Sequence, residues 1–121
     1  MTPLEKIKEY INLGSIGEID LSWCDLKGLQ LDNVNLKGAN LNGADLSNAN
    51  LCGADLSNAK LRGAYLKGTQ LTGANLSNAD LTNADIEGAV LVNAILKFTI
   101  LSGTDLTCAD FTGVDLSYSK K

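Results

Sequence analysis

The chain has 121 residues, with ten Lys and Arg against fourteen Asp and Glu, so one domain is expected and the net charge is −4. That balance argues against a dedicated binder of nucleic acid or of an anionic membrane surface. There is no His, which removes the commonest general base and the commonest zinc ligand, and no apolar run is long enough to cross a bilayer.

The first predicted element is a helix over residues 3–12. Thr2 and Glu5 form a T-x-x-E capping box, and Pro3 falls at the first helical position. Leu4, Ile7 and Ile11 follow at helical spacing, and Gly14 is a natural stop. Residues 1–18 therefore read as an amphipathic helical cap and its lead-in. A membrane-surface helix is the other reading, disfavoured by short length and mixed charge. MTPLEKIKEYINLG has no basic start followed by an apolar stretch, so it does not resemble a secretory signal.

From residue 19 to residue 118 the sequence repeats every five residues, twenty times without an insertion. Leu holds the central position from Leu21 to Leu116, with Ile86 and Phe111 as the two substitutes. Two residues earlier stands a small residue, usually Ala; one earlier, usually Asp or Asn. Two residues after the centre stands Gly or Asn in 16 of the 20 repeats; Trp23, Phe98, Cys108 and Tyr118 depart from this. Period five suits neither regular element. On a helix, successive Leu would drift around the axis, and on one long strand they would alternate faces. A three-residue extended piece followed by a left-handed bend reconciles the pattern. Ala44 and Leu46 then share the inner face, Asp45 and Ser47 the outer one, and Gly or Asn supplies the positive φ of each corner.

ADLSN at 44–48, ANLCG at 49–53 and ANLSN at 74–78 resemble the A-(D/N)-L-x-x motif of the pentapeptide repeat family. The resemblance implies an all-β fold, a right-handed quadrilateral parallel β-helix with four repeats per coil. Twenty repeats then make about five coils, a rod of roughly 24 Å at ~4.8 Å per coil. Stacked coils would bury a continuous Leu core that no single coil can bury.

Residues 119–121 follow the repeats as a short tail. Phe111, the one aromatic centre, is expected either to seal the C-terminal end or to leave it open to a homodimer. Phe98 and Tyr118, twenty residues apart, should stack at one corner. One outward ladder carries Asp25, Asp45, Tyr65, Asp85 and Asp105, with neighbouring carboxylates expected about 5 Å apart. Lys27 and Lys67 dilute that charge, and a solvated ladder is a better reading than a cation or acid–base site. Cys24 reads as core, Cys52 as outward and Cys108 as a corner; their spacings are not multiples of twenty, so no disulfide is expected. Three scattered Cys point to a reducing, cytoplasmic setting.

One stretch breaks the polar exterior. In GAVLVNAILKFTILSG, residues 88–103, the side chains of Val90, Val92, Ile95 and Ile100 stand where other repeats place polar residues, and Phe98 replaces a corner Gly or Asn. These five residues form an apolar belt, read either as a contact surface or as reinforcement of coil stacking. With no concave site expected, no catalytic, cofactor-binding or metal-binding residue is assigned. The expected function is a non-enzymatic scaffold or interaction module with a protein partner, acting without cofactor, nucleic acid or membrane. The resemblance adds a cyanobacterial association and one alternative, a DNA-mimic that binds DNA gyrase as quinolone-resistance members of the family do. Charge density argues against that alternative. The repeats hold eleven acidic and six basic residues, a net of −5, against ~14 phosphates on a duplex of similar length.

Overall fold

The structure is a computed structural model that describes residues 1–15 and 17–121. Among the described residues the one helix, α1, spans Pro3–Asn12. The Thr2 hydroxyl accepts from the Glu5 amide at 3.1 Å and the Glu5 carboxylate accepts from the Thr2 amide at 3.2 Å, the expected capping box. Helix α1 sends Ile7 into the main core, where it is 1 % exposed, and leaves Leu4 half-buried. The third predicted core contact fails: Ile11 is 45 % exposed. Tyr10 is half-buried in its place, its hydroxyl donating to the Gly17 carbonyl at 2.9 Å. Leu4, Ile7 and Tyr10 follow a three-residue spacing, which turns the contact stripe away from Ile11.

The repeats form a parallel β-helix. Fifteen isolated parallel bridges join residues twenty apart, so twenty residues make one coil. The bridges fall into four ladders, beginning at Asp20, Asp25, Gln30 and Asn35. No longer strand can form, because only three residues lie extended between corners. At a typical bridge, the Leu46 amide donates to the Tyr65 carbonyl at 2.8 Å and the Tyr65 amide donates to the Ala44 carbonyl at 2.9 Å. At the corner that precedes it, the Ala44 amide closes a four-residue turn onto the Leu41 carbonyl at 3.0 Å, with Gly43 at φ +67° as the third residue.

The core is the inner face of that coil. All seventeen centres from Leu21 to Leu101 are at most 4 % exposed. Where Thr takes the small inward position, its hydroxyl is satisfied within the wall. Thr69 donates to the Leu46 carbonyl and Thr99 to the Leu76 carbonyl, both at 2.7 Å. Cys24, expected in the core, is only half-buried against it.

The regularity weakens over residues 101–120. The centres Leu106, Phe111 and Leu116 are half-buried rather than buried. Ladders continue through Val90 to Asp110 and through Ile100 to Lys120, but neither Asp85 and Asp105 nor Ile95 and Asp115 form a bridge. Asp85 and Asp105, expected as ladder neighbours, are therefore not bridged. The corners supply a reason. Eighteen of the twenty corner residues have positive φ, Trp23 and Phe98 among them, and the two that do not are Cys108 and Tyr118. A Cβ makes the left-handed conformation unfavourable by about 1–2 kcal/mol. Trp23 covers the space where a Cβ on Gly43 would lie, and the ring of Phe98, one coil before Tyr118, lies 5.6 Å from that of Tyr118. The extended pieces that lead into these two corners are those that leave their ladders.

Leu66 is 1 % exposed in the middle of its ladder. Leu66→Asp would bury an unpaired carboxylate, and the protein should unfold or aggregate at temperatures where the parent is folded. A thermal melt checks this; an unchanged midpoint would contradict the inward assignment of the centres.

Candidate interaction surface

The outer face is built from a local device that polar composition alone does not reveal. Thirteen repeats have Asp or Asn just before the centre, and in all thirteen its side-chain oxygen accepts the backbone amide two residues on, at 2.9–3.1 Å. Asp45, for example, accepts from the Ser47 amide at 3.0 Å. A Ser or Thr two residues on can add a hydroxyl bond, as Thr112 does to Asp110 at 2.6 Å. The outward carboxylates are thus held in their own turns.

These bonds set the local electrostatics. The Ser22 hydroxyl and amide hold the Asp20 carboxyl below its ordinary value; Thr107 does the same for Asp105 and Thr112 for Asp110. Burial pushes Asp80 up, but bonds from Thr82 and from the Arg62 guanidinium, 2.6 Å away, outweigh it and the net direction is down. Asp25 faces Lys27 at 4.0 Å.

The seven remaining repeats lack this acceptor. Their residues are Gln30, Lys60, Tyr65, Gln70, Val90, Ile95 and Ile100. The last three are consecutive and wholly apolar. The amides of Val92, Lys97 and Ser102, which an Asp or Asn would satisfy, find no acceptor among the described residues. Each such bond contributes about 0.5–1.5 kcal/mol where it forms.

The structure places the five belt residues on the outside. Val90, Val92 and Ile100 are half-buried, whereas Ile95 and Phe98 are 49 % and 48 % exposed. Phe98 and Tyr118 stack as the spacing predicts, with ring centroids 5.6 Å apart, and the Lys97 ammonium lies 5.5 Å from the Phe98 centroid and 5.6 Å from that of Tyr118. Beside this cluster the exterior is concave. Where Asp115 has left Ile95, a groove of about 330 Å³ opens between residues 93–97 and residues 113–118. The sequence reading missed it because it follows from a lost ladder bond, not from any residue type.

The repeat match is extensive. A family model of pentapeptide repeats, eight copies to the model, matches residues 19–58, 53–88 and 84–119, and the chain belongs to the pentapeptide repeat family. The crystal structure of alr5209, a pentapeptide repeat protein from Nostoc PCC 7120, is 31 % identical with a TM-score of 0.77, over 95 % of this chain and 94 % of that one. AT2G44920, a pentapeptide repeat protein from the Arabidopsis thaliana thylakoid lumen, is 35 % identical with a TM-score of 0.63, over 85 % of this chain and 72 % of that one. QnrB1, a plasmid-mediated fluoroquinolone resistance protein, is 19 % identical with a TM-score of 0.42, a likeness too distant to bear on function. Among curated proteins, none matches this sequence.

The depressed carboxyl groups imply an acid limit. Stability contributed by Asp20, Asp105 and Asp110 is present above the unfolded carboxylate value of about 3.9 and is lost as pH falls through the lower folded values. The melting temperature should therefore hold between about pH 7 and pH 5 and fall below about pH 4. Melts across that range check the sign; a midpoint that rises on acidification would contradict it.

Proposed function

We propose that the protein is a non-enzymatic interaction module that meets a protein partner through Val90, Val92, Ile95, Phe98 and Ile100. The observation that carries this reading is the run Val90, Ile95, Ile100. Those three residues take the positions that elsewhere satisfy a backbone amide, so their choice works against local stability. An apolar surface kept at that expense is better explained by contact than by reinforcement. The partner is a protein, and no catalytic or cofactor role is assigned to any residue.

In the same proposal, residues 19–118 form about five right-handed, four-sided coils, residues 1–18 cap the first of them and residues 119–121 are a tail. Ile7 in the core and the capping box of α1 support the cap. A cytoplasmic setting is proposed from the free Cys24, Cys52 and Cys108. A homodimer through the C-terminal end is a second use of the same region, favoured by the half-buried centres Leu106, Phe111 and Leu116. The gyrase-binding alternative keeps only its charge argument, and the net of −5 over the repeats disfavours it.

The doubly substituted Val90→Thr, Ile95→Asn protein tests the belt. Asn at 95 restores the acceptor for the Lys97 amide, so folding stability should change by about 1 kcal/mol or less. Association, with a partner or with a second copy, should weaken. Sedimentation at several concentrations, pull-down from the native cell and thermal melting read the two effects apart. Intact association with a normal melt would remove the belt as a contact; a large fall in melting temperature would make these side chains structural.

A further inference from the structure

We propose that the groove beside Ile95 is a strand-addition site, which takes an extended apolar peptide from the partner. This rests on the reading of the protein as an interaction module and supplies its mode of contact.

The missing bridge defines the site. On the adjacent ladder, the Leu91 amide donates to the Asp110 carbonyl at 2.8 Å, the Asn93 amide to the Thr112 carbonyl at 2.8 Å, and the Asp110 amide to the Ala89 carbonyl at 3.0 Å. The equivalent groups around Ile95 are the Leu96 amide, the Phe98 amide and the Ala94 carbonyl. None of them takes up its ladder bond to residues 115–117. They sit on alternate residues, a carbonyl followed by two amides, at the spacing of a parallel strand edge. Extended backbone offers the matching donor, acceptor and acceptor at that repeat; a helix has its backbone groups already bonded and cannot.

The lining sets the chemistry of the incoming side chains. Ile95 and Tyr118 flank the groove with apolar surface, and Gly113 on the far wall leaves room for backbone. Lys97 lies at one end over the aromatic pair and disfavours a basic residue there. A β-branched, apolar strand fits this lining.

The opposite ladder breaks between Asp85 and Asp105 and opens a groove of about 230 Å³, but it is a poorer site. Asp85, Glu87 and Asp105 surround it with like charge. Its Gly88 amide is already taken by the Cys108 carbonyl at 2.7 Å, one residue out of the regular register. Of these two grooves, the one beside Ile95 joins open backbone to the more apolar lining.

Tyr118 keeps the site open. Phe98 stands one coil before corner 118 with its ring 5.6 Å from that of Tyr118, and Tyr118 lacks the positive φ of the regular corners. Gly43, one coil after Trp23, keeps positive φ beside an aromatic corner. Tyr118→Gly should let residues 115–117 rejoin their ladder and close the groove.

The test is amide hydrogen exchange, read by nuclear magnetic resonance on the full chain. The probe is a blocked hexapeptide copying residues 88–93, Gly-Ala-Val-Leu-Val-Asn, which has the repeat's spacing and an apolar outer face. In the free protein the Leu96 and Phe98 amides should exchange at least about tenfold faster than those of Leu91 and Asn93. Peptide at millimolar concentration should slow Leu96 and Phe98 by about tenfold or more and leave Ile86 unchanged. The same peptide N-methylated at its first Val, which removes the donor to the Ala94 carbonyl, should not. In Tyr118→Gly the two amides should be protected without peptide and should no longer respond to it. Leu96 and Phe98 amides as slow as those of Leu91 and Asn93 in the free protein would overturn the proposal. So would no response to peptide, or a Tyr118→Gly protein that still takes it. If the peptide fails while the Val90→Thr, Ile95→Asn protein still loses association, the strand mode falls and the belt reading stands.

Discussion

Everything regular in this molecule depends on a left-handed corner at every fifth residue. The corner turns the chain after three extended residues, which is too short for a strand but long enough to send one small residue and one Leu inward. Because the turn is repeated without insertion, residues twenty apart align and their backbone groups pair. Inward burial then supplies the stabilisation that single bridges cannot. Where the corner fails, at Cys108 and Tyr118, the ladder fails with it, although the hydrophobic pattern of Leu106 and Leu116 continues unchanged. The inner pattern is therefore not sufficient on its own; the corner conformation decides register.

The corners also govern what may stand above them. A Cβ on Gly53, Gly68, Gly103 or Gly113 would collide with the side-chain amide oxygen of Asn33, Asn48, Asn83 or Asn93, one coil earlier. Each of these four Asn is thus followed one coil later by Gly, because a side chain on one coil occupies the volume of the next. The column of Asn58, Asn78, Phe98 and Tyr118 has no Gly after its Asn, and it ends in the aromatic pair beside the groove. The apolar belt lies on the coil next to this irregularity. A surface that has given up its local hydrogen bonds thereby meets a wall that has given up its ladder bonds.

The fold was largely legible in the sequence. The period, the inward Leu and Ala, the corner residues, the capping box and the Phe98–Tyr118 stack all follow from local chemistry repeated many times. The exchange of Tyr10 for Ile11 was not legible, because it depends on how α1 tilts against the first coil. The reason for Asp and Asn outside could have been read: a short acceptor placed two residues before a turn amide is a turn signal, not mere solubility. The groove beside Ile95 was the hardest to foresee. It requires knowing that Phe98 lies beneath Tyr118 and that neither neighbour is Gly, a conflict between residues twenty apart that no five-residue window displays. The belt itself was visible as composition, but its significance rests on amides left without acceptors.

The corner claim can be tested at Gly73, where φ is +68° and a Cβ would meet nothing within 4 Å, so that conformation alone is at issue. The direct measurement is the unfolding free energy of Gly73→Ala and Gly73→Asn beside the parent, by denaturant titration. The account predicts a loss of about 1–2 kcal/mol for Ala and a smaller loss for Asn, which visits the left-handed region more readily. An Ala protein as stable as the parent, at a site with open space around it, would contradict the dependence of the coil on its left-handed corners.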